Sequence, residues 1–305
     1  MRIYLTGADG MLGTALRVTL AARADTTMVR GVSRHDFDIA DARATHDSIR
    51  SFEPDIVVHT AAHAIVDECE ANPGLALRTN TQGTRNVVSA CAAVGSSLLY
   101  ISSDYVFDGE NRPAEGYRED SLPNPRNVYG LTKLAGEQLA GTVPDHLCVR
   151  TSWLFGGADA RIDAVLAMTK AMLAGRIPRL IHDQFSSPTY VLDLAEALVR
   201  TILSPTRPTG VIHVANSGSA SWHEVGLVVA GHLRRAGRRA GDPAAVSMND
   251  GGFAAARPRD STLATERFRA LEAALPHWSD AVRRFCDVLL DRKSRAVAPP
   301  AGAER

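Results

Sequence analysis

A tyrosine and a lysine stand four residues apart in the segment NVYGLTKLAGEQ, residues 127–138. In a helix this spacing places Tyr129 and Lys133 on one face, where a phenol beside an ammonium can exchange a proton with a bound molecule. A free phenol has a pKa of about 10, so exchange near neutrality needs a cation that favours the phenolate. Because many helices carry such a pair by chance, the surrounding elements must decide whether it is catalytic.

Three glycines form a second motif near the N-terminus. In TGADGMLG, Gly7, Gly10 and Gly13 recur at three-residue intervals where a predicted strand turns into a helix. One glycine permits a tight turn, another lets the backbone approach a pyrophosphate, and the third lets the helix pack on the strand. We predict a dinucleotide-binding turn that includes Met11 and Leu12. The spacing GxxGxxG favours the short-chain dehydrogenase/reductase superfamily.

The end of the second predicted strand bears on the choice of dinucleotide. In GVSRHDFDIAD, Ser33 and Arg34 stand near the position where an acidic side chain would bind the ribose hydroxyls of NAD. A guanidinium beside a hydroxyl suits a 2′-phosphate instead, so we predict NADPH, with NADH as the alternative. Asp38 and Ile39 are candidates for the edge of the adenine ring, although Asp38 could equally cap a helix or turn.

A hydroxyl group is predicted beside the tyrosine and lysine. The apolar run SSLLYISS ends at Ser103, and open α/β sheets hold their ligands at the carboxyl ends of parallel strands. The loop EDSLPNPRN then leads into the helix of Tyr129. We predict a catalytic set in which Ser103 hydrogen-bonds a carbonyl oxygen and Tyr129 delivers a proton. Lys133 would favour the phenolate and hold the nicotinamide ribose.

Alternating strand and helix segments must position these groups. The predicted strands are RIYLT, TMVRGV, DIVVHTAA, SSLLYISS and HLCVRTSW, and a helix-like stretch follows each of the first four. We predict an α/β fold whose doubly wound parallel sheet occupies residues 1–152, with residues 180–215 returning to it. Residues 153–292 should form a smaller, mixed α/β substrate region with helices at 162–174, 193–203, 222–236 and 278–290, followed by a disordered tail at 293–305.

Composition narrows the classes of partner. Among 305 residues, 34 basic and 34 acidic side chains cancel, which argues against binding to nucleic acid or to an anionic membrane. No stretch approaches the roughly twenty apolar residues of a membrane span, and the N-terminus lacks a secretion signal. We therefore expect a cytoplasmic protein. The four cysteines show no ligand spacing, so we expect neither a metal nor a disulfide.

Seven strings along the chain together resemble the dTDP-4-dehydrorhamnose reductase family of extended short-chain reductases. In order from residue 1 to about 290, they are TGADGMLG, AAHAIVDECE, SSDYVFDG, VYGLTKLAGE, RTSWLFG, DQFSSPT and RPRDSTL. DYVFDG together with DQFxxPT distinguishes these reductases from sister enzymes of the same fold. The resemblance implies reduction of the 4-keto group of a nucleotide-activated 4-keto-6-deoxysugar, in deoxysugar biosynthesis for a polysaccharide or a glycosylated natural product.

The resemblance also implies roles for individual residues. Ser103 matches the family's catalytic hydroxyl, usually a threonine, and Tyr129 and Lys133 match its catalytic pair. Further cofactor contacts are implied for Ala61, Ala62 and Asn80. Substrate contacts are implied for Val66, Ser103, Asp104, Trp153, Gln184 and Arg257. By residue type alone, Trp153 is more often a core residue, Asn80 is as often a helix-packing residue, and Arg257 could be a surface arginine.

Some positions depart from the family's pattern. GGADARIDAV replaces a Gly-Asn-Phe element, and Asp260 stands where many members have asparagine, which leaves the identity of the sugar open. Some members join as metal-bridged dimers through glutamates. Ala15 follows the glycine motif here, so we predict no metal bridge and leave monomer and homodimer as alternatives.

Two other functions are alternatives on the same scaffold. An epimerase or dehydratase would retain NAD and return the hydride to its own substrate. Dehydratases typically carry Asp-Glu after the strand-end hydroxyl, whereas this chain has Asp104 and Tyr105. The second alternative is a non-catalytic, nucleotide-binding regulatory subunit, against which the intact set of Ser103, Tyr129 and Lys133 argues.

Overall fold

The computed structural model describes residues 1–23, 27–272 and 274–297, with side chains described up to residue 291. The strands are β1 (Arg2–Thr6), β2 (Met28–Val32), β3 (Ile56–His59), β4 (Ser97–Ser103), β5 (His146–Thr151), β6 (Leu154–Phe155), β7 (Arg179–Ile181), β8 (Phe185–Ser186), β9 (Thr189–Tyr190), β10 (Gly210–His213), β11 (Ala220–Ser221) and β12 (Ala244–Val246). The helices are α1 (Met11–Ala21), α2 (Ala42–Phe52), α3 (Val66–Ala71), α4 (Pro73–Ala76), α5 (Gly83–Val94), α6 (Val128–Ala140), α7 (Ala164–Leu173), α8 (Val191–Leu203), α9 (Trp222–Arg235), α10 (Glu266–Leu271) and α11 (Trp278–Val297). A π-helix spans Leu77–Gln82, and 3₁₀ turns span Asp104–Val106 and Met248–Asp250.

Six parallel strands form the central sheet in the order β10-β5-β4-β3-β1-β2. Because β1 pairs with β2 on one side and β3 on the other, the strand order reverses at β1. Thr6 at the end of β1 is in register with Val32 and His59, so three strand ends meet at one edge. Ligands of open α/β sheets bind at such a reversal, and the predicted doubly wound sheet is confirmed.

The hydrophobic core covers both faces of this sheet. Along β1, Ile3 and Leu5 pack in one cluster with α1 and α8, while Tyr4 packs in another on the side of α2, α5 and α6. Successive strand residues point to opposite faces, which is why a nearly continuous apolar run is needed. The first cluster continues to Val229 of α9 and Phe285 of α11. The later helices therefore share a core with the sheet.

Residues after 153 contribute both to the sheet and to smaller strand pairs. β10 pairs with β5, and α8 packs against α1. Two-stranded pairs form between β6 and β9, β7 and β12, and β8 and β11. Within the described residues, no helix combines the length and the apolar character needed to cross a membrane.

The predicted elements are confirmed with shifts of a few residues at their ends. The five predicted strands are β1 to β5, and the helices predicted at 162–174, 193–203 and 222–236 are α7, α8 and α9. The helix predicted to end at residue 290 continues to Val297, so the disordered tail is wrong for residues 293–297. Its DRKSR run contains good helix formers, which need no apolar face to continue a helix. Residues 298–305 lie outside the described residues.

Two buried histidines predict a dependence of stability on pH. Burial lowers the pKa of His59 and of His213 to about 3. An unfolded histidine titrates near pH 6.5, so between these values the unfolded chain binds more protons than the folded one. We expect the free energy of unfolding to fall by about 1 kcal/mol per pH unit for each histidine as the pH drops from about 6 to about 4.

Urea denaturation at a series of pH values measures this dependence. His213→Gln should remove about one histidine's share of the slope, because glutamine takes up no proton. The control His35→Gln changes an exposed side chain and should leave the slope as it is. A slope that His213→Gln leaves unchanged would show that His213 does not contribute.

Candidate active site

The turn between β1 and α1 has the geometry of a diphosphate cradle. Gly7 has a φ of 67°, and a Cβ on Gly13 would lie 2.1 Å from the Gly7 carbonyl oxygen, so both positions require glycine. Gly10 precedes α1 without a capping side chain. The first N–H groups of the helix, at Met11 and Leu12, are therefore open to an anion. The cradle has a shape that fits a dinucleotide pyrophosphate.

Ser33 and Arg34 follow β2 at the same edge of the sheet. The Ser33 N–H and hydroxyl both donate to the Asp36 carboxylate, at 2.8 and 3.2 Å, and the Arg34 side chain is exposed. Asp38 accepts a backbone N–H two residues on at 2.9 Å and pairs with Arg78, and these contacts hold its pKa below its usual range. Asp38 thus caps a turn, as in the alternative interpretation. Asp36 was not identified from the sequence.

The loop after β3 lies directly against the glycine turn. A Cβ on Gly7 would come within 2.7 Å of the Ala61 nitrogen, so Ala61 and the adjoining Ala62 line the same cradle. Ile39 packs on the start of α5, because a Cβ on Gly83 would lie 2.6 Å from it. The structure therefore brings the predicted residue Ala61 to the glycine turn, while the contact shown for Ile39 is with α5.

Asn80 is buried in the π-helix and holds this loop in place. Its side-chain oxygen accepts the His63 N–H at 2.7 Å, and its nitrogen donates to the His63 carbonyl at 3.0 Å. The same nitrogen donates to Thr132 of α6 at 2.9 Å. Asn80 therefore links the loop after β3 to the helix that carries Tyr129, which matches the helix-packing interpretation.

Ser103 and Tyr129 meet where β4 ends and α6 begins. Asn127 caps α6 by accepting the Gly130 N–H at 2.8 Å, which places Tyr129 in the first turn. A Cβ on Gly130 would lie 2.1 Å from the Tyr105 carbonyl oxygen, so glycine is required for this close approach. The Ser103 hydroxyl lies close enough to the Tyr129 phenol to influence its pKa.

Burial controls the protonation of the tyrosine and the lysine. It raises the pKa of the Tyr129 phenol, while the nearby Ser103 hydroxyl acts in the opposite direction. Burial lowers the pKa of Lys133 to about 8, opposed by Glu137 one turn further on. The Lys133 Nζ lies 4.3 Å from the centre of the Tyr100 ring. We expected Lys133 to lower the pKa of Tyr129, but burial has the larger effect. The phenol is therefore protonated near neutrality and can donate a proton.

Asp104 is 1% exposed and surrounded by serines. Its carboxylate accepts hydrogen bonds from Ser103 at 3.0 Å, Ser186 at 2.9 Å and Ser261 at 2.6 Å. Burial raises the pKa of Asp104, and the three hydroxyls oppose the rise. These three hydrogen bonds use both lone pairs of Oδ2 and one of Oδ1, which leaves one acceptor site on Oδ1. Neither Ser186 nor Ser261 was a predicted site residue, although they lie in DQFSSPT and RPRDSTL.

Trp153 stacks on Trp222, with ring centres 4.0 Å apart and planes 5° apart. Trp153 adopts a left-handed φ of 40°, a strained conformation that clusters at functional sites. Trp222 is the first residue of α9, and a capping box between Ser221 and Glu224 fixes the start of that helix. Trp222 therefore supports the Trp153 ring, which is predicted to shape the substrate pocket. Trp222 itself was predicted only as the start of a helix.

An ion pair between Arg257 and Asp67 joins two distant segments of the chain. The predicted substrate residues Gln184 and Val66 lie next to these segments. Arg257 pairs with Asp67 at 2.9 Å, and its guanidinium lies 4.8 Å from the centre of the Phe253 ring. Gln184 is buried, and its side-chain nitrogen donates to the carbonyl of Pro258, the residue after Arg257, at 3.1 Å. Val66 precedes Asp67 at the start of α3. The Arg257 Nη1 is buried without a hydrogen-bond partner in the described part of the chain.

Comparisons with known proteins identify the family. A family model described as RmlD substrate binding domain matches residues 1–290. The dTDP-4-dehydrorhamnose reductase of Streptomyces griseus is 36% identical over 310 residues, covering 98% of this chain and 97% of the relative. That of Salmonella typhimurium is 32% identical, covering 93% and 97%. The crystal structure of Bacillus anthracis dTDP-4-dehydrorhamnose reductase in complex with NADP has a TM-score of 0.85 at 34% identity, covering 93% of this chain and 98% of that one. This chain belongs to the dTDP-4-dehydrorhamnose reductase family.

Proposed function

We propose that this protein is an NADPH-dependent reductase of the 4-keto group of a dTDP-4-keto-6-deoxysugar, acting in deoxysugar biosynthesis. The observation that carries the proposal is that Ser103, at the end of β4, and Tyr129, in the first turn of α6, lie beside each other at the sheet edge that holds the glycine cradle. The activity named for the relatives and the NADP bound to one of them support it. We place the enzyme in the cytoplasm as a monomer or homodimer.

Different residues of the chain would bind the cofactor and transfer the proton. NADPH, when bound, supplies the hydride. The glycine turn would hold its pyrophosphate through the N-terminus of α1, and Ser33 and Arg34 would hold its 2′-phosphate. Tyr129 gives its phenolic proton to the ketone oxygen as that oxygen gains negative charge. Lys133, on the same face of α6, is the cation that would hold the nicotinamide ribose.

We propose that residues 1–152, with the α8 and β10 segment, bind the dinucleotide, and that the rest of the chain completes the substrate site. Trp153 and Val66 would form apolar walls for the sugar. Arg257 and Gln184 would lie near the nucleotide diphosphate. The unpartnered Nη1 of Arg257 supports this assignment, because a buried guanidinium nitrogen favours an anionic acceptor.

Absorbance of NADPH tests the proposed function in purified protein. Oxidation of NADPH should require a dTDP-4-keto-6-deoxysugar and stop when either reactant is used up. If no such ketosugar, in any 3,5-epimeric form, accelerates oxidation, the proposal fails. Turnover of a nucleotide sugar without net oxidation of NADPH would support the epimerase or dehydratase alternative instead.

Arg34→Ala tests the assignment of the 2′-phosphate site. Loss of a hydrogen bond between charged groups costs about 1.5–3 kcal/mol, so we expect the Kd for NADPH to rise about tenfold to hundredfold. NADH lacks the 2′-phosphate, and its Kd should change less than about twofold. Fluorescence titration with each cofactor measures both values. Arg30→Ala is the control, because Arg30 lies over the Phe52 ring at 4.7 Å. Equal losses for NADPH and NADH would refute the assignment.

Trp222→Leu tests the support of Trp153. Aromatic pairs contribute about 0.5–1.5 kcal/mol beyond their buried area, so we expect the KM for the ketosugar to rise about two- to tenfold with little change in kcat. The near-ultraviolet circular dichroism of the stacked rings should disappear in the same variant. Trp278→Phe, which changes the third tryptophan, should leave that signal in place. An unchanged KM after loss of the stacking signal would remove Trp222 from the substrate site.

A further inference from the structure

We infer that Asn127 is a positioning residue, which holds the segment of Arg257 against the helix of Tyr129 and thereby sets the distance between an anion-binding guanidinium and the proton donor. The inference rests on the proposed function and deepens it, because it names a residue that determines where the diphosphate of the nucleotide sugar lies relative to the ketone. Asn127 was not a predicted site residue.

The buried side chain of Asn127 makes two hydrogen bonds in opposite directions. Its Oδ1 accepts the Gly130 N–H at 2.8 Å, which caps α6, and its Nδ2 donates to the Ala256 carbonyl at 2.7 Å. Because the first partner can only donate and the second can only accept, the orientation of the amide is fixed. Among the residues that cap helices well, asparagine is the one that carries an acceptor and a donor on separate atoms.

Asp67 of α3 holds the same segment through the two residues on either side of Ala256. One oxygen of its carboxylate accepts the Ala255 N–H at 3.0 Å, and the other accepts the Arg257 Nη2 at 2.9 Å. Asn127 therefore binds the segment at the residue between the two contacts of Asp67. The backbone before Arg257 is fixed to α3 and to α6, and the guanidinium cannot shift without breaking one of these hydrogen bonds.

One aromatic ring separates the Arg257 guanidinium from Tyr129. The guanidinium carbon lies 5.9 Å from the centre of the Tyr105 ring, and that centre lies 5.8 Å from the centre of the Tyr129 ring. Asp67 engages the Arg257 Nη2, whereas Nη1 is buried and has no hydrogen-bond partner among the residues that the structure describes. A buried guanidinium nitrogen favours an anionic acceptor, so Nη1 is the nitrogen that we assign to the diphosphate.

The substrate requires a fixed separation between these two groups. In a nucleotide-activated 4-keto sugar, the ketone carbon C4 lies across the ring from C1, which carries the diphosphate. A ketone placed at the Tyr129 phenol therefore puts the diphosphate one sugar ring away, where Arg257 must stand to bind it. Asn127 maintains this separation because it caps the helix of Tyr129 and binds the backbone next to Arg257. Binding energy at the diphosphate then places the ketone for reaction.

Asn127→Ser separates the two hydrogen bonds of Asn127. Serine caps helices about as well as asparagine, so α6 keeps its start, but the hydroxyl carries no separate donor for Ala256. Hydrogen–deuterium exchange read by mass spectrometry reports on the segment, because the Ala255 N–H is buried and hydrogen-bonded. We expect peptides that contain Ala255 to exchange about tenfold faster while peptides of α6 keep their rate. Unchanged exchange at Ala255 would overturn the inference.

Asn72→Ser is the matched control for that substitution. Asn72 caps α4 by accepting the Leu75 N–H at 3.1 Å, and it is exposed. The same replacement of a capping asparagine should leave the exchange of the Ala255 peptides at the parent rate. If both variants accelerated that exchange equally, the effect would come from helix capping in general, and the inference would be wrong.

Calorimetric titration with dTDP tests the link to anion binding without turnover. We expect Asn127→Ser to raise the Kd for dTDP about threefold to tenfold, and less than about twofold in an Arg257→Ala background. In steady-state assays, the KM for the ketosugar should rise by the same factor while kcat and the Kd for NADPH stay near their parent values. A purely structural loss would change all three. Equal losses of dTDP affinity in both backgrounds would mean that Asn127 does not act through Arg257, and would overturn the inference.

Failure of the proposed function and failure of the inference give different results. If the parent protein binds no dTDP and turns over no ketosugar, the proposed function fails, while the exchange experiment still decides whether Asn127 holds the segment. If circular dichroism shows that Asn127→Ser does not fold, both experiments are run with Asn127→Asp. The helix N-terminus favours the ionised carboxylate, which keeps the cap but has no hydrogen for Ala256. With either variant, faster exchange at Ala255 without weaker binding of dTDP would overturn the inference.

Discussion

Tyr129→Phe should lower kcat by about 10²–10⁴-fold, the usual contribution of a positioned proton donor. The change removes only the phenolic oxygen, and the ring can keep its edge contact with Tyr105, whose centre is 5.8 Å away. We therefore expect the Kd for NADPH to stay within about twofold of the parent value. Single-turnover oxidation of NADPH by a dTDP-4-keto-6-deoxysugar measures the loss of the chemical step separately from binding.

Tyr117→Phe is the matched control for that substitution. Tyr117 is buried and donates to Asp108 at 2.8 Å, and it lies outside the site. Its loss should reduce stability slightly while kcat stays near the parent value. If Tyr129→Phe retained turnover, or if both variants lost it equally, Tyr129 would not be the proton donor.

Glu137→Met should lower the free energy of unfolding by about 3–5 kcal/mol. Glu137 and Arg150 form a two-point ion pair with both distances at 2.8 Å, and each side chain is 4% exposed. Removing one partner leaves the Arg150 charge buried and uncompensated, which costs far more than loss of an exposed pair. Denaturation with guanidinium chloride measures the change. The pair joins α6, which carries Tyr129 and Lys133, to β5 of the sheet.

The double replacement Glu137→Met with Arg150→Met separates the ion pair from packing. Two apolar side chains of similar volume leave no unpaired charge, so we expect the double variant to recover most of the stability lost in the single one. Asp47→Ala is the surface control, because Asp47 pairs with Arg43 at 3.6 Å with both side chains largely exposed. That change should cost less than about 0.5 kcal/mol. A similarly small loss in Glu137→Met would contradict the structural role of the buried pair.

Local spacing predicted the features that depend on neighbours in the chain. Apolar runs of strand length, separated by helix-like segments, predicted the first five strands. The glycines at residues 7, 10 and 13 predicted the cradle because each of them contacts the same turn. Tyr129 and Lys133 are one helical turn apart, so their shared helix could be inferred from spacing alone. Their catalytic assignment needed the position of Ser103 at a strand end, which the strand order supplied.

Contacts between distant segments could not be predicted in the same way. Asp104 binds Ser186 and Ser261, and Arg257 pairs with Asp67, yet nothing in the residue types near each position specifies its partner. Such pairs depend on how the strands and loops after residue 153 return to the sheet. The pKa of Tyr129 was anticipated from Lys133 alone, whereas burial, which a sequence does not display, proved the larger influence.

Transfer of deuterium from labelled NADPH to the sugar tests the proposed reduction most directly. NADPH carries deuterium at nicotinamide C4, on each face in separate experiments, and the product is analysed for label at the sugar C4. We predict that one of the two labelled cofactors delivers one deuterium to that carbon for each NADPH oxidised, producing a 4-hydroxyl sugar. A nucleotide-sugar product that carries no deuterium from either cofactor, formed while NADPH remains unoxidised, would contradict the account.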